Sequence, residues 1–327
     1  MSAGSPTMTR DDFLRRVAGI NVWKRDGERA PHKPLLLLLA LGRVQRGERR
    51  LAGYGDEIAD DLKSLLRRFG PPRSVPHPEA PFARLPNDDL WEVVADEDLD
   101  RITGKGGVTH RQLIDRAAAG GFSRSDQQLL LADPRLVEEA ARELLAGHFE
   151  PSLHNDIRDA VGLSRPAEHR AAATASSTRD PGFRHAVLRA YERRCAVCGF
   201  DVRLDDDLVG LDAAHIRWHS AGGPDEVRNG LALCILHHRT FDRGAIGLRR
   251  TRDGFRLVVS DEVNGQSPAC RQLLDCHGKP IRNPQRSRQR PDPDFVDWHR
   301  KQVFRGRSRD LEASADERGE RKPERMK

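Results

Sequence analysis

Two short pairs, Cys195-Ala-Val-Cys198 and Cys234-Ile-Leu-His237, constrain this chain more than any other feature. In each pair the two intervening residues let a tight turn offer two ligands to one ion. A second such pair completes a tetrahedron. Cys195, Cys198, Cys234 and His237 therefore predict a closed Zn2+ site with no position open for chemistry, one that contributes folding energy. His238 stands beside His237, but the spacing from Cys234 favours His237. Cys270-x5-Cys276-His277 fits no common knuckle spacing and reads as thiols buried near Leu273 and Leu274.

The five cysteines are an odd number, and Met1–Arg10 is polar with no apolar signal core. Both point to a cytoplasmic setting and to metal or free thiols rather than a disulfide framework. The longest apolar run, Leu35–Leu41, is far short of the roughly 20 residues of a membrane span. Apolar residues make up 37% of the chain. With glycine the share is about 46%, enough for two modest cores and some unfolded polar sequence. The length of 327 residues also suggests two domains. The net charge of +6, from 56 basic and 50 acidic residues, identifies no partner until the charges are placed.

The first domain is expected to be mainly helical. Thr9 caps a helix with Asp12 at the capping-box position, and Phe13, Leu14, Val17 and Ile20 form its apolar stripe. A second helix starts near Pro34 and, being apolar all round over Leu35–Leu39, should be central and buried. Ile58–Phe69 and Leu129–Phe149 read as further helices, Leu90–Val94 as a short strand, and Pro71–Pro78 as a stiff loop. Gly162–Pro181, poor in large apolar residues, reads as a linker. The charged end from Arg305, without aromatics, reads as disordered.

Around the cysteine pairs lie Leu211-Asp-Ala-Ala-His215-Ile216, the Asn229-Gly230 turn, and His237-His238-Arg-Thr-Phe-Asp242. This order of His, Asn and His interleaved with a zinc knuckle resembles the HNH (ββα-metal) nuclease family over roughly residues 182–263. The resemblance implies metal-dependent hydrolysis of phosphodiester bonds, with His215, Asn229 and His238 as catalytic residues. His215, at the end of an apolar strand, suits a general base working near neutral pH. In the family the residue at Asn229 holds the loop that bears the base, and in some members it helps to bind the metal. His238 would present imidazole to Mg2+ or Mn2+. Asp242, four residues on, shares its helical face. Many members carry Asp or His just before the base; here that position is Ala214. The metal ligands expected are therefore His238 first, then Asp212 and Asp242.

Ala30-Pro-His32-Lys33-Pro34 with its leucine run, and Ala80-Pro81-Phe82-Ala-Arg84, resemble the DNA sulfur-binding domain of phosphorothioate-dependent type IV restriction endonucleases, over roughly residues 10–155. Members often have Tyr-Pro-Phe where this chain has Ala80-Pro81-Phe82. The resemblance implies double-stranded DNA carrying phosphorothioate as partner. Sulfur, being larger and less hydrated than oxygen, would favour an apolar dimple lined by Ala80 and Pro81 and rimmed by His32 and Lys33. Arg73, Ser74, Arg84, Lys105, His110 and Arg111, on or beside loops, are further candidate contacts to phosphates and base edges. Lys279, Arg282, Arg286, Arg288 and Arg290, with no acid among them, suggest an arm that tracks the DNA backbone.

The expected fold is α+β: a mainly helical reader domain with short strands (1–160), a linker (161–180), a zinc-containing HNH nuclease domain with its basic arm (181–305) and a disordered charged tail (306–327). A homodimer would let a single-site nuclease cut both strands. Two rivals stand beside this reading. One is an HNH nuclease targeted to methylcytosine, which needs an aromatic cage. The other is a non-catalytic zinc-knuckle DNA-binding regulator.

Overall fold

In a computed structural model, residues 9–22, 28–72, 75–96, 107–164 and 181–309 are described. The fold is α+β, and its N-terminal half is built on a leucine helix. Helix α1 (Arg10–Ala18) starts at Thr9, whose hydroxyl accepts the Asp12 N–H. Helix α2 (His32–Gln45) begins two residues before Pro34 and buries Leu35–Leu41 completely. Each such leucine contributes about 1.5–3 kcal/mol of burial, so this helix sets the centre of the half. Strand β1 (Ala52–Gly53) and one π-helical turn lead into α3 (Ala59–Phe69).

Helix α4 (Glu79–Arg84) was not evident in the sequence; Pro81 lies in its first turn, where a proline removes no helical hydrogen bond. Strand β2 (Glu92–Val94), helix α5 (His110–Asp115) and strand β3 (Ala119–Gly121) follow. The three strands form an antiparallel sheet, β3 in the middle, with Gly120 opposite Ala52 and Val93. Gly120 has to be glycine: a Cβ there would sit 2.7 Å from Trp91 Nε1 and 2.8 Å from Phe82 Cζ.

The segment read as one helix over Leu129–Phe149 is two, α6 (Arg124–Ala132) and α7 (Pro134–His148). Asp133 caps the second with its carboxylate and Pro134 opens it, so the first helix has to end. Helix α8 (Pro151–Val161), also unanticipated, extends this half to Leu163, which is buried in its core.

The C-terminal half begins with α9 (Pro181–Ala190) and the cysteine turn at 195–199, then a minimal hairpin, β4 (Arg203–Leu204) and β5 (Asp207–Leu208). Strands β6 (Leu211–His215) and β7 (Gly230–Cys234) pair antiparallel, from Leu211 opposite Cys234 to His215 opposite Gly230. Helix α10 (Ile235–Asp242) packs on both strands. A second hairpin, β8 (Ile246–Thr251) and β9 (Gly254–Val259), and helices α11 (Pro268–Asp275) and α12 (Pro293–Gln302) complete the half.

The halves share apolar contacts. Trp218, Trp298 and Val303 join the N-terminal core. Arg29, buried, lies 3.8 Å over the Trp218 ring and donates from its guanidinium to the carbonyls of Gln302 and Phe69. Arg305 donates to the carbonyls of Arg67, Arg68 and Gly70, the end of α3. The start of the expected tail is also held: Ser308 bridges to Ser260 and the Arg309 N–H bonds to Val259 O. Residues 310–327, and 165–180 of the expected linker, lie outside the described residues. No helix among the described residues is long and apolar enough to cross a membrane.

Candidate nuclease site and DNA-reading surface

The two cysteine pairs meet where β7 turns into α10. Cys195 and Cys198 sit on a turn closed by bonds from Gly199 N–H to Cys195 O and from Cys195 N–H to Phe200 O. Cys234 ends β7 and His237 lies in the first turn of α10. The four ligand atoms fall within 4.8 Å of one another. Cys198 and Cys234 sulfurs are 3.9 Å apart, and Cys195 Sγ is 3.6 Å from His237 Nδ1. A tetrahedron with Zn–S of about 2.3 Å has edges of roughly 3.8 Å, so this Cys3His set fits a metal ion of zinc's size and softness. Hydrogen bonds from Cys198 and Cys234 hold the Cys195 thiol far below the usual thiol range. Burial opposes a charge on His237, but Cys195 and Cys234 outweigh it and raise the imidazole to about 10. A bound cation would have to replace the protons that the thiols and the imidazole share. Cys270 and Cys276 take no part and are half-exposed rather than buried.

His215 closes β6, buried, with its ring stacked on Phe183 at 4.1 Å and 11°. Its Nε2 lies 2.7 Å from Asp225 Oδ1. Sequence reasoning missed Asp225; the only local signal is an acid ten residues after the histidine in an aperiodic loop. An aspartate on one ring nitrogen fixes the ring's orientation and tautomer. Asn229, fully buried, ties that loop together: its Oδ1 accepts the Arg217 N–H at 2.8 Å, and its Nδ2 donates to Arg217 O and Pro224 O, both at 2.9 Å. Gly223 permits this closure, since a Cβ there would lie 1.9 Å from Arg217 O.

His238 and Asp242 share one face of α10, Nε2 to Oδ2 3.2 Å, and both are buried. Asp212 is turned elsewhere: it pairs with Arg184 of α9 at 3.0 Å, and among the described residues it forms no metal-sized cluster with His238 and Asp242. The alternation of β6 explains this, because Asp212 is three residues from His215 and so faces the other way.

In the N-terminal half, His32 starts α2 and lines a cleft of about 560 Å³ with Arg67, Pro71, Pro72, Pro76 and Arg307. Lys33 is ion-paired with Asp88. Pro81 is buried and Ala80 half-exposed, so Ala80 presents more of the expected dimple's surface. Phe82 packs against Tyr54 and Trp91. Arg84 is exposed. His110 and Arg111, expected on a loop, open α5, because Thr109 and Gln112 form a reciprocal cap there. His110 Nδ1 is 2.8 Å from the Tyr54 hydroxyl, and Arg111 is exposed. Arg73, Ser74 and Lys105 lie outside the described residues. Lys279, Arg282, Arg286, Arg288 and Arg290 are all exposed, but their backbone is no loose arm. Residues 278–281 bond along β9, and the Arg282 and Gln285 N–H groups bond to Ala196 O and Ala190 O.

Two antiparallel strands, the first ending in His215, crossed by a helix that carries His238, place the C-terminal half in the ββα-metal class. Known families agree with both halves. The family described as ScoMcrA-like, DNA sulfur-binding domain matches residues 10–166, and the HNH endonuclease family matches residues 195–249. Along the chain, a match to the ScoMcrA-like DNA sulfur-binding domain is thus followed by a match to the HNH endonuclease family.

Among solved structures, the sulfur binding domain of ScoMcrA complexed with phosphorothioated DNA is 27% identical over 46% of this chain and 95% of that one, with a TM-score of 0.39. The sulfur binding domain of SprMcrA complexed with phosphorothioated DNA is 24% identical over 49% and 97%, with a TM-score of 0.42. The type IV phosphorothioation-dependent restriction endonuclease ScoMcrA is 26% identical over 46% of this chain and 32% of that one, with a TM-score of 0.38. No curated protein matches the chain.

Proposed function

We propose that this chain is a modification-dependent restriction endonuclease. Its N-terminal half docks on phosphorothioated duplex DNA, and its HNH half hydrolyses a phosphodiester bond nearby. The observation that carries the reading is the succession, in one chain, of a sulfur-binding match over 10–166 and an HNH match over 195–249. Its role would be defence against foreign modified DNA.

His215 takes a proton from the attacking water, held in orientation by Asp225 and Phe183. Asn229 keeps the intervening loop in shape. His238, with Asp242 beside it, would hold Mg2+ or Mn2+. So small a ligand set suits a cation that keeps several waters and takes its other ligands from substrate phosphate. When bound, that ion supplies charge to the phosphate and to the leaving oxygen. Cys195, Cys198, Cys234 and His237 would bind Zn2+, which would hold the knuckle on which α10 begins.

The structure weighs against the methylcytosine rival. Phe13, Tyr54, Phe82, Trp91 and Phe122 are all buried in contact with one another, which leaves none of these five to cage a flipped base.

The test uses two duplexes that differ by one phosphorothioate linkage, incubated with the protein and Mn2+, and with EDTA as control. Cleavage of the modified duplex alone is expected. Equal cutting of both would remove the targeting, and binding without cutting under any divalent ion would leave the regulator.

A further inference from the structure

The first turns of α8 in the reader half reach the nuclease site. Ser152 Oγ donates to Asp242 Oδ2 at 2.5 Å, and that same oxygen lies 3.2 Å from His238 Nε2. Around this contact, the Ser152 carbonyl accepts from Arg239, and Asp156 pairs with Arg239 at 3.1 Å and Arg243 at 3.2 Å. Glu150, buried, accepts the backbone N–H of His219, in the loop that follows His215. Ser152 thus touches the helix that carries His238, and Glu150 the loop that follows His215.

These contacts differ in kind. The pairs of Asp156 are half-exposed and involve neither His238 nor Asp242; exposed pairs of this sort contribute little. The Ser152 bond is made to a carboxylate whose side chain is 1% exposed. A buried carboxylate depends on its donors for orientation as well as for stability. Removing the hydroxyl frees the carboxylate to turn, and the imidazole it steadies turns with it.

We propose that Ser152 is a positioning residue for the nuclease site: it fixes the Asp242 carboxylate, which in turn orients His238 toward its divalent cation. The inference rests on the endonuclease reading above.

The test compares Ser152→Thr with Ser152→Val in the full-length, zinc-loaded protein, because these side chains match in shape and differ by the hydroxyl. Ser152→Val should lower kcat on phosphorothioated duplex and weaken the binding of Mn2+ alone, read by calorimetry, by about 10-fold or more. KM should stay unchanged, and Ser152→Thr should keep most of both properties. Asp156→Asn, which breaks these half-exposed pairs, should leave kcat unchanged and shift Tm little.

Wild-type kcat and Mn2+ affinity in Ser152→Val would overturn the proposal, as would an equal loss of kcat in Asp156→Asn. If the wild-type chain cleaves no duplex, the endonuclease reading falls, and the Mn2+ affinities of the two variants still decide whether Ser152 positions His238.

Discussion

Two sets of candidate ligands flank the turn from β7 into α10, and adjacent residues belong to different sets. His237 faces three cysteine sulfurs within 4.8 Å, a closed group of soft ligands. His238 faces one aspartate on its own helix, which is held in turn by a serine from the other half of the molecule. The first set can satisfy an ion alone. The second is incomplete alone, as a site must be if substrate is to finish it. One residue of helical rotation separates the candidate ligand of a structural ion from the candidate ligand of a catalytic one.

The largest effect should come from the closed set. Cys195→Ser should abolish tight zinc binding and unfold the C-terminal half, because structural zinc contributes on the order of 10–16 kcal/mol in small knuckles. Bound zinc measured by atomic absorption, together with Tm, checks this. A variant that keeps its fold without zinc would show that the cluster is not what holds the knuckle.

Substitution in the open set should behave oppositely. His238→Ala or His215→Ala should lower cleavage by roughly 10²–10⁴-fold while zinc content, Tm and DNA affinity in EDTA stay near wild type. If either lost zinc instead, the separation between the two sets would fail.

The smallest effect concerns the ground beneath both sets. His299 on α12 is stacked on Phe241 of α10 at 3.8 Å, with Nε2 donating to Phe241 O. Burial, offset in part by that bond, lowers its pKa to about 4. The folded protein therefore refuses a proton that the unfolded chain accepts at about 6.5. Stability is full above that value and falls as pH drops from about 6.5 to 4, by about 3 kcal/mol at most. Denaturant titrations at pH 7 and pH 5 should show a smaller fall for His299→Gln than for wild type.

What the sequence revealed divides along similar lines. The cysteine pairs, the Asn229–Gly230 turn and the buried leucine helix were legible because their signals are local: fixed spacings and an unbroken apolar run. Helix α4 was hidden by Pro81, which usually marks a boundary and here occupies the one turn that tolerates it. The break at Asp133-Pro134 was lost under an apolar pattern that runs through it. Asp225 gave no periodic signal, and Ser152 lies 90 residues from the carboxylate it touches. Contacts of that range exist only after the halves have met, so no window along the chain contains them.

Arg29 and Trp218 carry a consequence for how such proteins diversify. The tryptophan stands in the loop between His215 and Asn229, and its ring is covered by a guanidinium from the other half. A gene fusion that gave this nuclease a new reader would leave an indole face open to solvent unless the newcomer brought its own cover. Any half joined to this one would have to supply such a cover for the loop to keep its packing.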